Sequence, residues 1–174
     1  MNAPRILPAS LALSVAIAAL SGCSNDTLTL DYTATIDPSF TPDEIEATTT
    51  GIQEWITAVP QLHIATSIGT CSETAPHQVC LHPAYDAPDP ADDVIGTTEP
   101  GSAGNATVWI YVNRIEATGW NMSQLTAQTV AHEIGHAVGL KHTSPGQLMA
   151  ADVPDQAHTV TADDVAQFWT VRGQ

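Results

Sequence analysis

Eleven residues constrain this chain more than any other segment: His132-Glu133-Ile134-Gly135-His136-Ala137-Val138-Gly139-Leu140-Lys141-His142. Histidines at i and i+4 lie about 40° apart around an α-helix and ~6 Å along it, so a helix here aims both imidazoles at one point. That is the geometry of two ligands on one Zn²⁺. Gly139 accepts the left-handed conformation that ends a helix sharply, and the exit lets His142 return as a third nitrogen ligand. Glu133 can flank the metal without binding it and take a proton from water held there. Three protein ligands leave a fourth position for water, the mark of a catalytic site, and zinc brings the pKa of such water to ~7. In a chain of this composition the five fixed positions match by chance with a probability of about 3 in 100,000. The alternatives are three surface histidines aligned by accident, or a closed zinc site completed by Asp152 or His158.

The chain has 174 residues and a formal net charge of -15. That length suits one domain with a real core. The acidic excess argues against nucleic acid, which is held through clustered Lys and Arg, and against a basic membrane-surface helix. Residues 1–22 read as a lipoprotein signal peptide: Arg5, an apolar run from Ile6 to Leu20, then Leu20-Ser21-Gly22-Cys23. The run is too short to span a bilayer. A Cys after Leu-Ser-Gly resembles the bacterial lipobox, which implies lipid on Cys23 and a tether over 23–27. An ordinary signal with a chance Cys is the alternative. The expected location is exported and lipid-anchored at the cell envelope, the outer membrane if Gram-negative, or released outside the cell. With Cys23 lipidated, Cys71 and Cys80 are the pair left for a disulfide in an oxidising compartment.

Residues 28–174 form the remaining domain. Leu28, Leu30, Tyr32, Ala34 and Ile36 alternate as in a half-buried strand. Thr41-Pro42-Asp43-Glu44 reads as a capped helix start, and Ile45 to Val59 follows with helical spacing. Thr48-Thr49-Thr50-Gly51 is a poor helix former, so packing must hold this helix. Strands are expected at Leu62–Thr66, Gln78–His82, Val94–Thr98 and Thr107–Asn113, and helices at Asn121–Gly139 and from Thr161 onward. The fold class is therefore α/β (α+β), a single domain with a mixed sheet. Asp86, Asp89, Asp92 and Asp93 could attract Ca²⁺ but lack EF-hand spacing; a solvated acidic loop is the first reading.

The zinc run matches the extended signature H-E-x-x-H-x-x-G-x-x-H and resembles the metzincin metalloproteases. Met149, in Gln147-Leu148-Met149-Ala150, is similar to their Met-turn, and Val160–Phe168 resembles the C-terminal helix of the matrixin branch. The resemblance implies a zincin-like fold, and implies that Asp163 and Asp164 brace the Met-turn; both also suit a helix N-terminus. It is strong over residues 123–170 and rests on layout alone over 28–113. Matrixins carry Pro two residues after the Met and then a Tyr, whereas here Ala151 and Asp152 follow Ala150, so their specificity does not carry over. His63, His77, His82 and His158 are scattered and read as surface or satisfied core residues. The implied function is zinc-dependent endopeptidase action by a monomer, with Glu133 as general base and acid. The substrate is expected as an extended peptide on an edge strand at Val94–Thr98, with Thr107–Asn113 behind it. The membrane is expected to be engaged through lipid alone. Alternatives are a catalytically silent zinc-holding binding module and a structural envelope lipoprotein.

Overall fold

A computed structural model describes residues 30–85, 94–153 and 156–174. The signal segment, Cys23 and the four aspartates of the acidic loop lie outside the described residues. The element order is β1 (Leu30–Ile36), α1 (Pro42–Ala58), β2 (Leu62–Ile68), β3 (Gln78–Ala84), β4 (Gly96–Pro100), β5 (Ala106–Tyr111), α2 (Val112–Ala117), α3 (Met122–Ala137) and α4 (Ala162–Thr170). The sheet runs β2-β1-β3-β5-β4. Its first four strands are parallel, and β4 closes it antiparallel to β5. Alternation explains the layering: Tyr32, Ala34 and Ile36 of β1, and Val108 and Ile110 of β5, are buried in one core with the helices.

The expected helix starts are present. Glu44 N donates to Thr41 Oγ1 and Thr41 N donates back to Glu44 Oε2, closing the capping box of α1. Thr161 and Asp164 repeat the device on α4. The strand expected over Thr107–Asn113 stops at Tyr111, and α2 follows. Beyond that register β3 has ended and no ladder partner remains, so the chain turns helical and pairs its backbone groups internally. The edge strand is displaced by two residues from the expected Val94–Thr98 to Gly96–Pro100, with β5 behind it. Cys71 and Cys80 form a disulfide with a Cα–Cα distance of 5.6 Å, tying the preceding loop to β3.

Gly51, a cost to helix propensity, is a packing requirement. A Cβ there would lie 2.4 Å from the Ala127 carbonyl oxygen and 2.8 Å from Val130 Cβ, so α1 and α3 cross with backbone almost in contact. Trp55, one turn on, is fully buried and donates from Nε1 to the Ala131 carbonyl at 2.6 Å. Gly51→Ala should therefore lower stability by about 1–3 kcal/mol through overpacking, despite its better helix propensity. Thermal unfolding checks this; an unchanged or raised Tm would show that the two helices part freely.

Candidate metal centre

The site grows from the C-terminal half of α3. Asn121 caps that helix by accepting from Gln124 N at 2.9 Å. At the other end Gly139 has φ +96°, Gly139 N donates to His136 O and Leu140 N donates to Gly135 O. This paired C-terminal closure is the Schellman pattern, and it redirects the chain so that His142 faces the helix it has just left. Arg172, beyond α4, adds a donor to the exposed end of α3, reaching the Val138 carbonyl at 2.9 Å while stacking on Phe168.

His132, His136 and His142 meet through their Nε2 atoms. The separations are 3.1 Å for His132–His136, 3.1 Å for His136–His142 and 3.3 Å for His132–His142. Two ligands ~2.0–2.1 Å from a tetrahedral zinc stand about 3.3–3.4 Å apart, so the triangle suits one ion. The far sides of two rings are already committed. His132 Nδ1 lies 2.8 Å from the Leu148 carbonyl and His136 Nδ1 lies 2.9 Å from the Leu140 carbonyl. A carbonyl only accepts, so each Nδ1 carries the proton and each Nε2 is left with a lone pair. Between neutral His132 and His136 the short contact is therefore not a hydrogen bond, and two lone pairs that close suit a shared cation. Among the described residues this is the one group of three or more such side chains able to hold a metal. Asp152 is exposed and outside it, and His158 is turned to Gln128 Oε1 at 2.8 Å. Among the described residues the cluster therefore has no fourth protein side chain of the kind that closes a zinc site. His82 lies 2.9 Å from Asp37 and stacks on Trp109, His63 lies beside Asp31, and His77 packs on Tyr32.

Met149 is fully buried beneath the helix that carries His132 and His136. A Cβ on Gly135 would come within 2.3 Å of its sulfur, so the glycine inside the zinc run is the space Met149 occupies. Asp164, also fully buried, accepts from Leu148 N at 3.1 Å and Met149 N at 3.2 Å, and from Thr161 N at 2.8 Å. The two acids of α4 divide their work. Asp164 grips the Met149 turn, whereas Asp163 stays at the surface and meets only the Gln147 side chain, at 3.2 Å. Because the Leu148 carbonyl in turn receives His132 Nδ1–H, the turn also orients the His132 ring.

Glu133 is buried on α3, and burial pushes its carboxyl up to about 7, against the Thr98 hydroxyl bond that favours ionisation. Thr98 Oγ1 on β4 lies 2.6 Å from Oε2. Neither Thr98 nor Gly96 is marked in the sequence by any motif; only the sheet register brings them to α3. Burial also holds His132 down at about 4 and lowers His136. The consequences have opposite signs. The histidines cost the folded metal-free protein stability as pH falls below 6.5, because the unfolded chain takes up those protons first. Glu133 costs stability as pH rises from 4.5 towards 7, with the full cost above 7. In metal-free protein, Glu133→Gln should raise stability at pH 8 by on the order of 1–3 kcal/mol. It should also steepen the acid-side loss between pH 6.5 and 4. Chemical denaturation across pH checks both; a variant no more stable than wild type at pH 8 would contradict the buried carboxyl.

Comparison with known proteins agrees with this geometry. A model of metallo-peptidase family M12B, reprolysin-like, matches residues 31–143, from β1 to one residue past His142. No curated protein matches by sequence. Of the 37 solved chains that match in structure, one is the crystal structure of archaemetzincin from Methanopyrus kandleri. It is 11% identical with a TM-score of 0.59, over 87% of this chain and 99% of that one. The likeness carries the fold: a zincin-like mixed α/β domain. The family match spans well over half of the sequence, and by it this chain belongs to the reprolysin-like M12B metallopeptidases.

Proposed function

We propose that this protein is a zinc-dependent endopeptidase of metzincin type. The observation that carries the proposal is the triangle of Nε2 atoms at 3.1–3.3 Å with a buried carboxylate one residue from its first corner. Zinc held by His132, His136 and His142 supplies a Lewis acid for the scissile carbonyl and acidifies water at neutral pH. Glu133 takes the proton of the attacking water and returns it to the leaving amine. Its Oε2 is occupied by Thr98, which leaves Oε1 for the proton in transit. The substrate lies extended against β4, whose outer edge has no partner strand among the described residues. Within the reprolysin-like family, the segment beyond the family match, which ends one residue after His142, has a matrixin-like feature: Asp164 braces the Met149 turn. Ala151 in place of a Pro two residues after Met149, and the lack of any Tyr beyond it, argue for a substrate preference of its own.

The same proposal has the protein act as a monomer, exported and anchored through lipid on Cys23, with residues 28–174 as the peptidase domain. The support is the lipobox-like Leu20-Ser21-Gly22-Cys23 and the Cys71–Cys80 disulfide, which suits an oxidising compartment.

Cleavage of a mixed peptide library by the purified protein tests the catalytic reading. Glu133→Ala should keep fold and zinc but lose turnover by about 100-fold or more. His142→Ala should weaken zinc binding, read by metal content after dialysis. Turnover unchanged in Glu133→Ala would contradict the base, and undiminished zinc in His142→Ala would contradict the ligand. A folded, zinc-loaded wild type that cleaves nothing would favour a silent zinc-holding binding module. Activity should fall in mild acid, since ligand histidines must be neutral; a rate still rising below about pH 5 would contradict this. Labelled fatty acid should be incorporated in the producing cell by wild type and not by Cys23→Ser; equal labelling would contradict the anchor.

A further inference from the structure

We infer that Thr98 is a positioning residue, holding the Glu133 carboxylate in the orientation that proton transfer needs. The inference rests on the reading of Glu133 as the base and goes beyond it, because it assigns a role to a strand that carries no part of the zinc run.

A glutamate has three side-chain torsions, and helix position alone does not fix where its carboxylate points. Glu133 is buried on the side of α3 that packs on β4. Thr98 Oγ1 lies 2.6 Å from Oε2, the short range of a hydroxyl donating to a carboxylate. The same hydroxyl lies 3.0 Å from the Glu133 main-chain carbonyl, so it sits over the root and the tip of one side chain. Threonine is branched at Cβ and stiff at its first torsion, which makes it a firmer donor than serine in a strand.

Gly96 supplies the complementary half. Two residues back along β4, it faces the same side as Thr98. A Cβ at Gly96 would lie 2.8 Å from Glu133 Oε1, 3.0 Å from its Cγ and 2.7 Å from Thr129 Cγ2. One residue of the strand therefore clears the space for the carboxylate and the next but one grips it. This strand is also the sheet edge on which the peptide is proposed to lie. The peptide seat and the two residues that position the base thus share one strand, so a peptide paired with β4 is in register with the Glu133 carboxylate.

The test uses the full zinc-loaded protein and a quenched fluorescent peptide selected from the mixed library by wild type. Thr98→Val removes the hydroxyl at nearly constant shape and should lower kcat about 10- to 100-fold, with KM and zinc content within about twofold. Thr98→Ser should recover most of that loss, and Gly96→Ala should lower kcat by displacing the carboxylate. A second readout needs neither metal nor activity. In metal-free protein at pH 8, Thr98→Val should lower Tm more when Glu133 is present than in the Glu133→Ala background, where only the main-chain contact of the hydroxyl remains to be lost. Wild-type kcat in Thr98→Val, equal impairment in Val and Ser, or additive Tm shifts would each overturn the inference. If Glu133→Ala is inactive while Thr98→Val is fully active, this inference alone falls. If Glu133→Ala keeps full turnover, the base falls and Thr98 with it.

Discussion

Two imidazole nitrogens that present lone pairs to one point, with a third ring nitrogen beside them, do not gather there unaided, so the fold must hold them in place before any cation arrives. It does so from behind. Carbonyls of Leu148 and Leu140 take the Nδ1 protons of His132 and His136. Each carbonyl fixes a tautomer as well as a ring orientation, because an acceptor at Nδ1 leaves Nε2 as the only ligating atom. Both carbonyls belong to chain that follows α3, so the shape of that return path decides whether the site exists.

The return path is held in turn by a chain of dependence that reaches the far end of the domain. Gly139 and the paired closure of α3 set its direction, and Met149 packs into the space that Gly135 leaves. Asp164, at the start of α4, accepts the N–H groups of Leu148 and Met149. A buried carboxylate is costly unless its oxygens are bonded, and here four donors meet it: Leu148 N, Met149 N, Thr161 N and the Thr161 hydroxyl. The capping box that starts α4 and the brace of the Met149 turn are therefore one side chain. Trp55 completes the block, touching the helix at Ala131 and Gly135 and Phe168 of α4.

Local rules made the metal centre legible. The i, i+4 spacing, the glycine exit and the two capping boxes involve residues within a few positions of one another, and all appear where spacing put them. The disulfide was legible by elimination once Cys23 was set apart. Elements whose limits depend on a neighbour strand were less so: β5 stops at Tyr111 because its ladder partners end, which alternation alone cannot report. The division between Asp163 and Asp164 depends on which face of α4 is inward. Thr98 and Gly96 lie more than thirty residues from Glu133, and only the antiparallel closure of β4 on β5 brings them to it. Gly51 was visible as a cost, and its reason lay in a helix 76 residues away for the neighbouring Trp55 contact.

The central claim is that three imidazoles and no fourth protein side chain hold one zinc. X-ray absorption at the zinc edge on purified protein, with metal content measured on the same sample, tests it most directly. The expected result is one zinc per chain with three imidazole nitrogen neighbours at ~2.0–2.1 Å and one oxygen neighbour. No bound zinc, sulfur in the coordination shell, or a fourth histidine would contradict it.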